Sequence, residues 1–157
     1  MNFPDALAAG PAAAHLHGAV LLTADTSLPT SVSSYLSTHA RLRYAVGGPA
    51  AKADPSATAL VGADRYATAA AVASRLFDTP DNVGVASGVT FADAVVGGAA
   101  QALAGGPLLL SATSYLPTPT GSYLTNHAAT ITTSHVFGGT AALATTVQAA
   151  IEKALGL

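Results

Sequence analysis

Two spacings of hydrophobic residues alternate along this chain. Short, mostly apolar runs at 83–86, 107–111 and 135–137 predict strands, the first of them buried. Between them, apolar positions recur every three or four residues. Tyr66, Ala69, Ala70, Ala73, Leu76 and Phe77 make one helical face, preceded by Asp64, whose carboxylate suits the N-cap position. A second helix is predicted over 91–103, capped by Thr90 or stabilised by Asp93 and stopped by Gly105-Gly106. Pro117 and Pro119 open a third, running to about His127. Gly138-Gly139 turns the chain into a last helix to Ala154, with Leu143, Val147, Ala150, Ile151 and Leu155 as its apolar face. Ahead of these, the pattern predicts helix 4–15, strand 19–23, helix 29–39 and strand 43–46. Short apolar strands alternating with helices predict an α/β fold, a Rossmann-like parallel sheet with helices on both faces.

The pattern occurs twice. Phe3 and Asp5 return as Phe91 and Asp93, 88 positions on, and at the same offset Val20-Leu21-Leu22 meet Leu108-Leu109-Leu110. Leu28-Pro29 meet Leu116-Pro117, Tyr35-Leu36 meet Tyr123-Leu124, and His39 meets His127. Gly47-Gly48 meet Gly138-Gly139 at an offset of 91, which places three extra residues near 130–133 in the second copy. Matches held in register over this length identify tandem repeats. The expected division is a truncated first unit over 1–48 without its leading strand, a connector over 49–58, and a complete second unit over 59–157.

Charge removes several function classes. Six Lys and Arg stand against eight Asp and Glu, so no basic field draws a polyanion from a distance and no nucleic-acid partner is expected. Any anion site must be local. There is no Cys for a disulfide, a thiolate metal site or a thiol nucleophile. The start of the chain lacks the basic segment of a signal peptide. Its longest uncharged run, 94–110, contains Gly97-Gly98, Gly105-Gly106 and Pro107. That run predicts a small-residue helix, a turn and a strand, without membrane insertion.

Catalytic and cofactor motifs fail on their spacing. The sequence has no G-x-G and no Gly followed by Lys, so no dinucleotide or nucleotide cofactor is expected. Ser87 directly precedes Gly88, out of step with a nucleophile elbow. His15 and His17 do not share a helical face. His39 and His127 each close a predicted helix, where the helix dipole favours them. The positive signal lies at strand ends. Gly47-Gly48, Gly138-Gly139 and Ser87-Gly88-Val89-Thr90 each follow an apolar strand, where loops of open α/β sheets bind ligands and backbone N–H groups attract anions. Arg65 could take an anion on its forked guanidinium, or pair with Asp64, Asp93 or another acid within the fold.

Together these residues resemble the cell wall binding repeat type 2 family of Gram-positive surface proteins. The resemblance rests on Gly62, Asp64-Arg65-Tyr66, Thr68-Ala69, Ala86-Ser87-Gly88 and Phe91-Ala92-Asp93-Ala94, then on Pro107-Leu108-Leu109-Leu110, Leu116-Pro117 and Gly138-Gly139. In the first copy it rests on the segment from Asn2 to Leu7, Val20-Leu21-Leu22, Leu28-Pro29 and Gly47-Gly48. Ala19 and Ala92 stand where the family has Pro, and Ala59-Leu60 stands near a usual basic residue. The resemblance implies a non-catalytic module on the cell surface that anchors a larger protein by binding anionic secondary wall polymer. The expected contact set is Arg65, Ser87, Gly88, Thr90, Gly47, Gly48, Gly138 and Gly139. The alternative is a structural repeat without polymer binding, serving self-association, pairing with further repeat units, or carriage of a wall hydrolase.

Overall fold

A computed structural model describes residues 4–39 and 42–157. A 3-10 turn, Pro4–Ala8, runs into α1 (Ala9–His15), followed by α2 (Thr30–His39), β1 (Tyr44–Val46), α3 (Gly48–Ala53) and β2 (Thr58–Leu60). The second unit then supplies α4 (Arg65–Leu76), β3 (Asn82–Ser87), α5 (Phe91–Ala104), β4 (Leu108–Ser111), α6 (Thr118–Asn126), β5 (Thr133–Phe137) and α7 (Thr145–Leu155). Every strand pair is parallel: β1 with β2 in one sheet, and β4-β3-β5 in another.

β3 is buried at all six positions. Its alternation divides the core. Val83 and Val85 join Leu109, Tyr123, Leu124, Val147 and Ile151 beneath α6 and α7. Ala86 joins Ala94, Leu108 and Leu110 beneath α5. The α5 side uses small residues, so the helix lies close to the sheet. A Cβ on Gly97 would come within 2.6 Å of the Phe137 ring, and one on Gly84 within 2.9 Å of it. Gly98 of the same helix faces Leu7 and Pro11, where the first unit packs on the second.

The expected helices and most strands form, with three corrections. β5 forms as an edge strand with Thr133, His135 and Val136 exposed, so the sheet is not covered on both faces there. The final helix begins at Thr145, because Ala142 and Leu143 both donate to the Gly139 carbonyl in a tight turn. Ala144 then donates to Thr113 and holds an extended conformation before the helix starts. The expected strand at 19–23 does not form. Its counterpart β4 exists because β3 lies alongside and shares a ladder; no strand among the described residues lies beside 19–23. The side chains show the consequence. Leu22 is 55% exposed where Leu110 is 0%, and Tyr35 is 45% exposed where Tyr123 is 3%. α2 buries no residue, while its counterpart α6 buries Thr120, Tyr123 and Leu124.

The stretch between the units is structured. α3 and β2 occupy most of it, and Arg43 closes its turn by pairing with Asp54 and donating to Ser56. β2 leads into α4 in sequence but pairs with β1, so a strand next to the second unit joins the first unit's sheet. Leu60, Val72, Phe77 and Ala12 form a core where the two meet.

These differences predict unequal costs for the same substitution. Leu110→Ala is expected to lose about 2–5 kcal/mol of stability, and Leu22→Ala less than about 1 kcal/mol, read from urea midpoints at constant slope. A second expectation concerns pH. The Tyr123 hydroxyl donates to the Phe77 carbonyl at 3.3 Å, and burial, with Asp78 nearby, pushes this phenol above its ordinary value. The unfolded chain ionises near pH 10 while the folded one holds its proton, so stability falls as pH rises past about 10. Tyr123→Phe is expected to flatten most of that fall in a denaturation series from pH 8 to 11.

Candidate functional site

The carboxyl ends of both sheets meet at the start of α4. Gly62 follows β2 and donates to Thr68 Oγ1 at 3.1 Å. A Cβ there would overlap the backbone of Ala67 and Thr68, so only glycine fits. Asp64 caps α4 by accepting from the Ala67 N–H at 2.8 Å. Arg65 turns back to the end of β3 and donates to the Gly88 carbonyl at 2.5 Å. Tyr66 and Arg65 also lie over Gly88, where a Cβ would come within 2.8 Å and 3.2 Å of them. Burial pushes the Tyr66 phenol up; Tyr115 adds to the rise, and Arg65 opposes it.

The loop after β3 is held from within. Ser87 is fully buried, and its Oγ accepts from the Val89 and Thr90 N–H groups at 3.2 and 3.4 Å. Thr90 occupies the N-cap position of α5 but makes no capping bond, so the turn depends on the serine. The Gly88 N–H is spent on the Ser111 carbonyl at 2.8 Å, and the Gly47 N–H on Leu60 at 2.9 Å. Val89 and Thr90 remain exposed at the edge.

The two glycine pairs share a second feature. Gly138, at φ +120°, lies against Asp93: a Cβ there would come within 2.7 Å of Asp93 Oδ2. Gly47, at φ +89°, leaves its Cβ space to the Asp5 carboxylate. Asp5, in the 3-10 turn ahead of α1, and Asp93, in the first turn of α5, are thus each seated against the glycine that follows a strand, β1 and β5 respectively. Gly48 and Gly139 face open space. The strand ends bring together Arg65, Ser87, Gly88 and Thr90 in the second unit. Gly47 joins this edge through Leu60, and Asp93 brings Gly138.

Other residues singled out by the repeat lie elsewhere. Leu108, Leu109 and Leu110 are core, Val20, Leu21 and Leu22 are exposed beside α1, and Phe91 is exposed at the start of α5. Phe3 and Asn2 lie outside the described residues. His39 and His127 use Nδ1–H to bond the carbonyls of Tyr35 and Tyr123 four residues back, and stack on the same tyrosines. Tyr115 was not singled out by the repeat, because its counterpart is Ser27. It is 60% exposed and stands beside Tyr66. Among the described residues no three His, Asp or Glu gather to hold a metal ion, and no helix is long and apolar enough to cross a membrane.

The family model for cell wall binding domain 2 (CWB2) matches residues 1–55 and 59–148. The chain belongs to the CWB2 family. This is a family of wall-binding modules, not a catalytic one, and CWB2 domains belong to cell-surface proteins of Gram-positive bacteria. No curated protein sequence matches the chain significantly. Among solved structures, Cwp6 from Clostridium difficile aligns with a TM-score of 0.82 at 20% identity, covering 96% of this chain and 26% of that one. Cwp8 from Clostridium difficile aligns at 0.76 and 22%, covering 96% and 28%. Both share the fold, and the chain spans about a quarter of the length of each.

The role of Asp64 in this CWB2 domain gives a test of the edge. Asp64→Ala is expected to cost about 0.5–2 kcal/mol, while Asp64→Asn, an equally good cap, stays near wild type. Equal losses in the two variants, measured by urea denaturation, would assign the effect to charge and not to capping.

Proposed function

We propose that this domain binds an anionic secondary wall polymer without covalent linkage and thereby holds a larger protein on the outside of a Gram-positive cell. The observation that carries the reading is the CWB2 match running through both repeats, whose strand ends converge around Arg65. Arg65 commits one N–H to Gly88, and a guanidinium offers five in a fork suited to carboxylate or phosphate. Thr90 and Tyr115 stand exposed on the same edge and supply hydroxyls.

The glycine pairs fit this role less directly than the second-unit loop. Asp5 and Asp93 fill the space beside Gly47 and Gly138, and a carboxylate there repels an incoming anion. The proposed contact therefore centres on Arg65, Thr90 and Tyr115. With a formal net charge of −2 the domain has no long-range pull on a polyanion, so recognition acts at short range.

Calorimetric titration of purified teichoic-type polymer into the domain tests this. Arg65→Gln and Tyr115→Ala are each expected to weaken binding about tenfold or more, equivalent to about 1.4 kcal/mol. Raising the salt from 0.05 to 0.5 M (an assay condition) is expected to weaken it further, through screening. Binding indifferent to both substitutions and to salt would move the contact off this edge. Binding equally tight to a neutral glycan would remove the anionic requirement.

A further inference from the structure

A large aromatic ring stands in the open on a segment whose backbone is fixed. Tyr115 is 60% exposed between β4 and α6, while Ala112 and Pro117, on either side of it, are buried. The backbone between them is held carbonyl by carbonyl. Thr113 accepts from the Ala144 N–H at 2.8 Å, and Ser114 accepts from the Thr146 hydroxyl at 3.2 Å. Ser111, fully buried at the end of β4, shares its hydroxyl proton between the Ala112 and Tyr115 carbonyls at 3.1 and 3.2 Å. The Ser111 carbonyl accepts the Gly88 N–H, and the Gly88 carbonyl accepts from Arg65. Tyr115 and Arg65 are therefore tied to the same strand ends, with Tyr66 beside Tyr115 and over Gly88. A ring presented this way has lost its backbone freedom before a ligand arrives, so contact with it costs little further entropy. The matching position of the first unit is Ser27, so the arrangement belongs to the second unit.

We propose that the Tyr115 ring is a platform for a sugar ring, so that this edge selects an anionic polymer carrying pyranose units beside its charges over a bare polyol phosphate chain. The inference rests on the polymer-binding reading and names the chemistry of the unit next to the charge. A pyranose presents a fixed face of C–H groups with partial positive charge, and the π face of an aromatic ring is negative. An open polyol chain has similar C–H groups but no fixed face. It must give up torsional freedom to lay them on the ring. The Arg65 fork takes the charged group, so one stretch of polymer meets cation and ring together. Charge alone would read only the anion; the ring adds a preference for the sugar.

Poly(glycerol phosphate) and the same polymer glucosylated on its glycerols carry the same backbone charge and differ only in the sugar ring. Titrated calorimetrically into the whole domain, the glucosylated form is expected to bind about fivefold or more tighter. Tyr115→Ala is expected to bring the two affinities together. Tyr115→Phe, which keeps the ring and drops the hydroxyl, is expected to retain the difference. Arg65→Gln is expected to weaken both and leave their ratio unchanged. In proton spectra, the glucosyl ring protons are expected to shift upfield on binding wild type and Tyr115→Phe, but not Tyr115→Ala. Equal binding of the two polymers by wild type overturns the platform and leaves polymer binding standing. So does a preference lost in Tyr115→Phe as fully as in Tyr115→Ala, because the contact is then the hydroxyl. Binding of neither polymer overturns the anionic-polymer reading and the platform with it.

Discussion

A strand buried on both faces and flanked on both edges satisfies its backbone groups through ladders that its neighbours share, so the central strand organises everything beside it. β3 has that position in this CWB2 domain. Its N–H and C=O groups pair with β4 and β5, and its side chains divide two cores. Where the corresponding strand is missing from the described residues, the effects spread outward from its place. Residues 19–23 are irregular, the leucines that match a fully buried run face solvent, and α2 lacks a buried face. The same motif sequence thus gives core in one unit and surface in the other. Local propensity is the same in both, so the difference comes from pairing.

The units are joined by more than a connector. β2 belongs by sequence to the approach to α4, yet it pairs with β1. The closeness of α5 to the sheet depends on Gly97 and Gly84 leaving room for Phe137. On the same helix, Gly98 lets the first unit's turn and α1 approach. Small residues therefore serve two packings at once, one within a unit and one between units. This accounts for the abundance of Ala and Gly where an ordinary domain would place larger apolar side chains.

Much of this was legible in the sequence because it rests on local chemistry. Asp64 before an apolar-periodic run read as a cap and is one. The apolar runs at 83–86 and 107–110 read as strands because nothing polar interrupts them. The run at 19–23 carries the same signal and misleads, since pairing with a neighbour is not a property of the run. The late start of α7 also escaped the pattern, because the turn at Gly139 is pinned by a bond from Ala144 to Thr113, which is distant in sequence. At the candidate site, the sequence left Arg65 open between an anion and an internal partner. Its described partner is a carbonyl, Gly88, not one of the acids weighed.

That carbonyl partner bears on how the edge can recognise an anion. In a chain with so few charges, Asp64 is spent on a cap, and Asp5 and Asp93 sit against glycines. Arg65 is oriented by a neutral acceptor, so its charge is not cancelled by a carboxylate in contact with it. A guanidinium held this way is pre-positioned and loses less side-chain freedom when it meets a carboxylate or phosphate. A partner acid in the same place would have to be displaced first. The geometry therefore favours a local, oriented cation over a diffuse field, which is what the proposed contact between a weakly acidic domain and a polyanion requires.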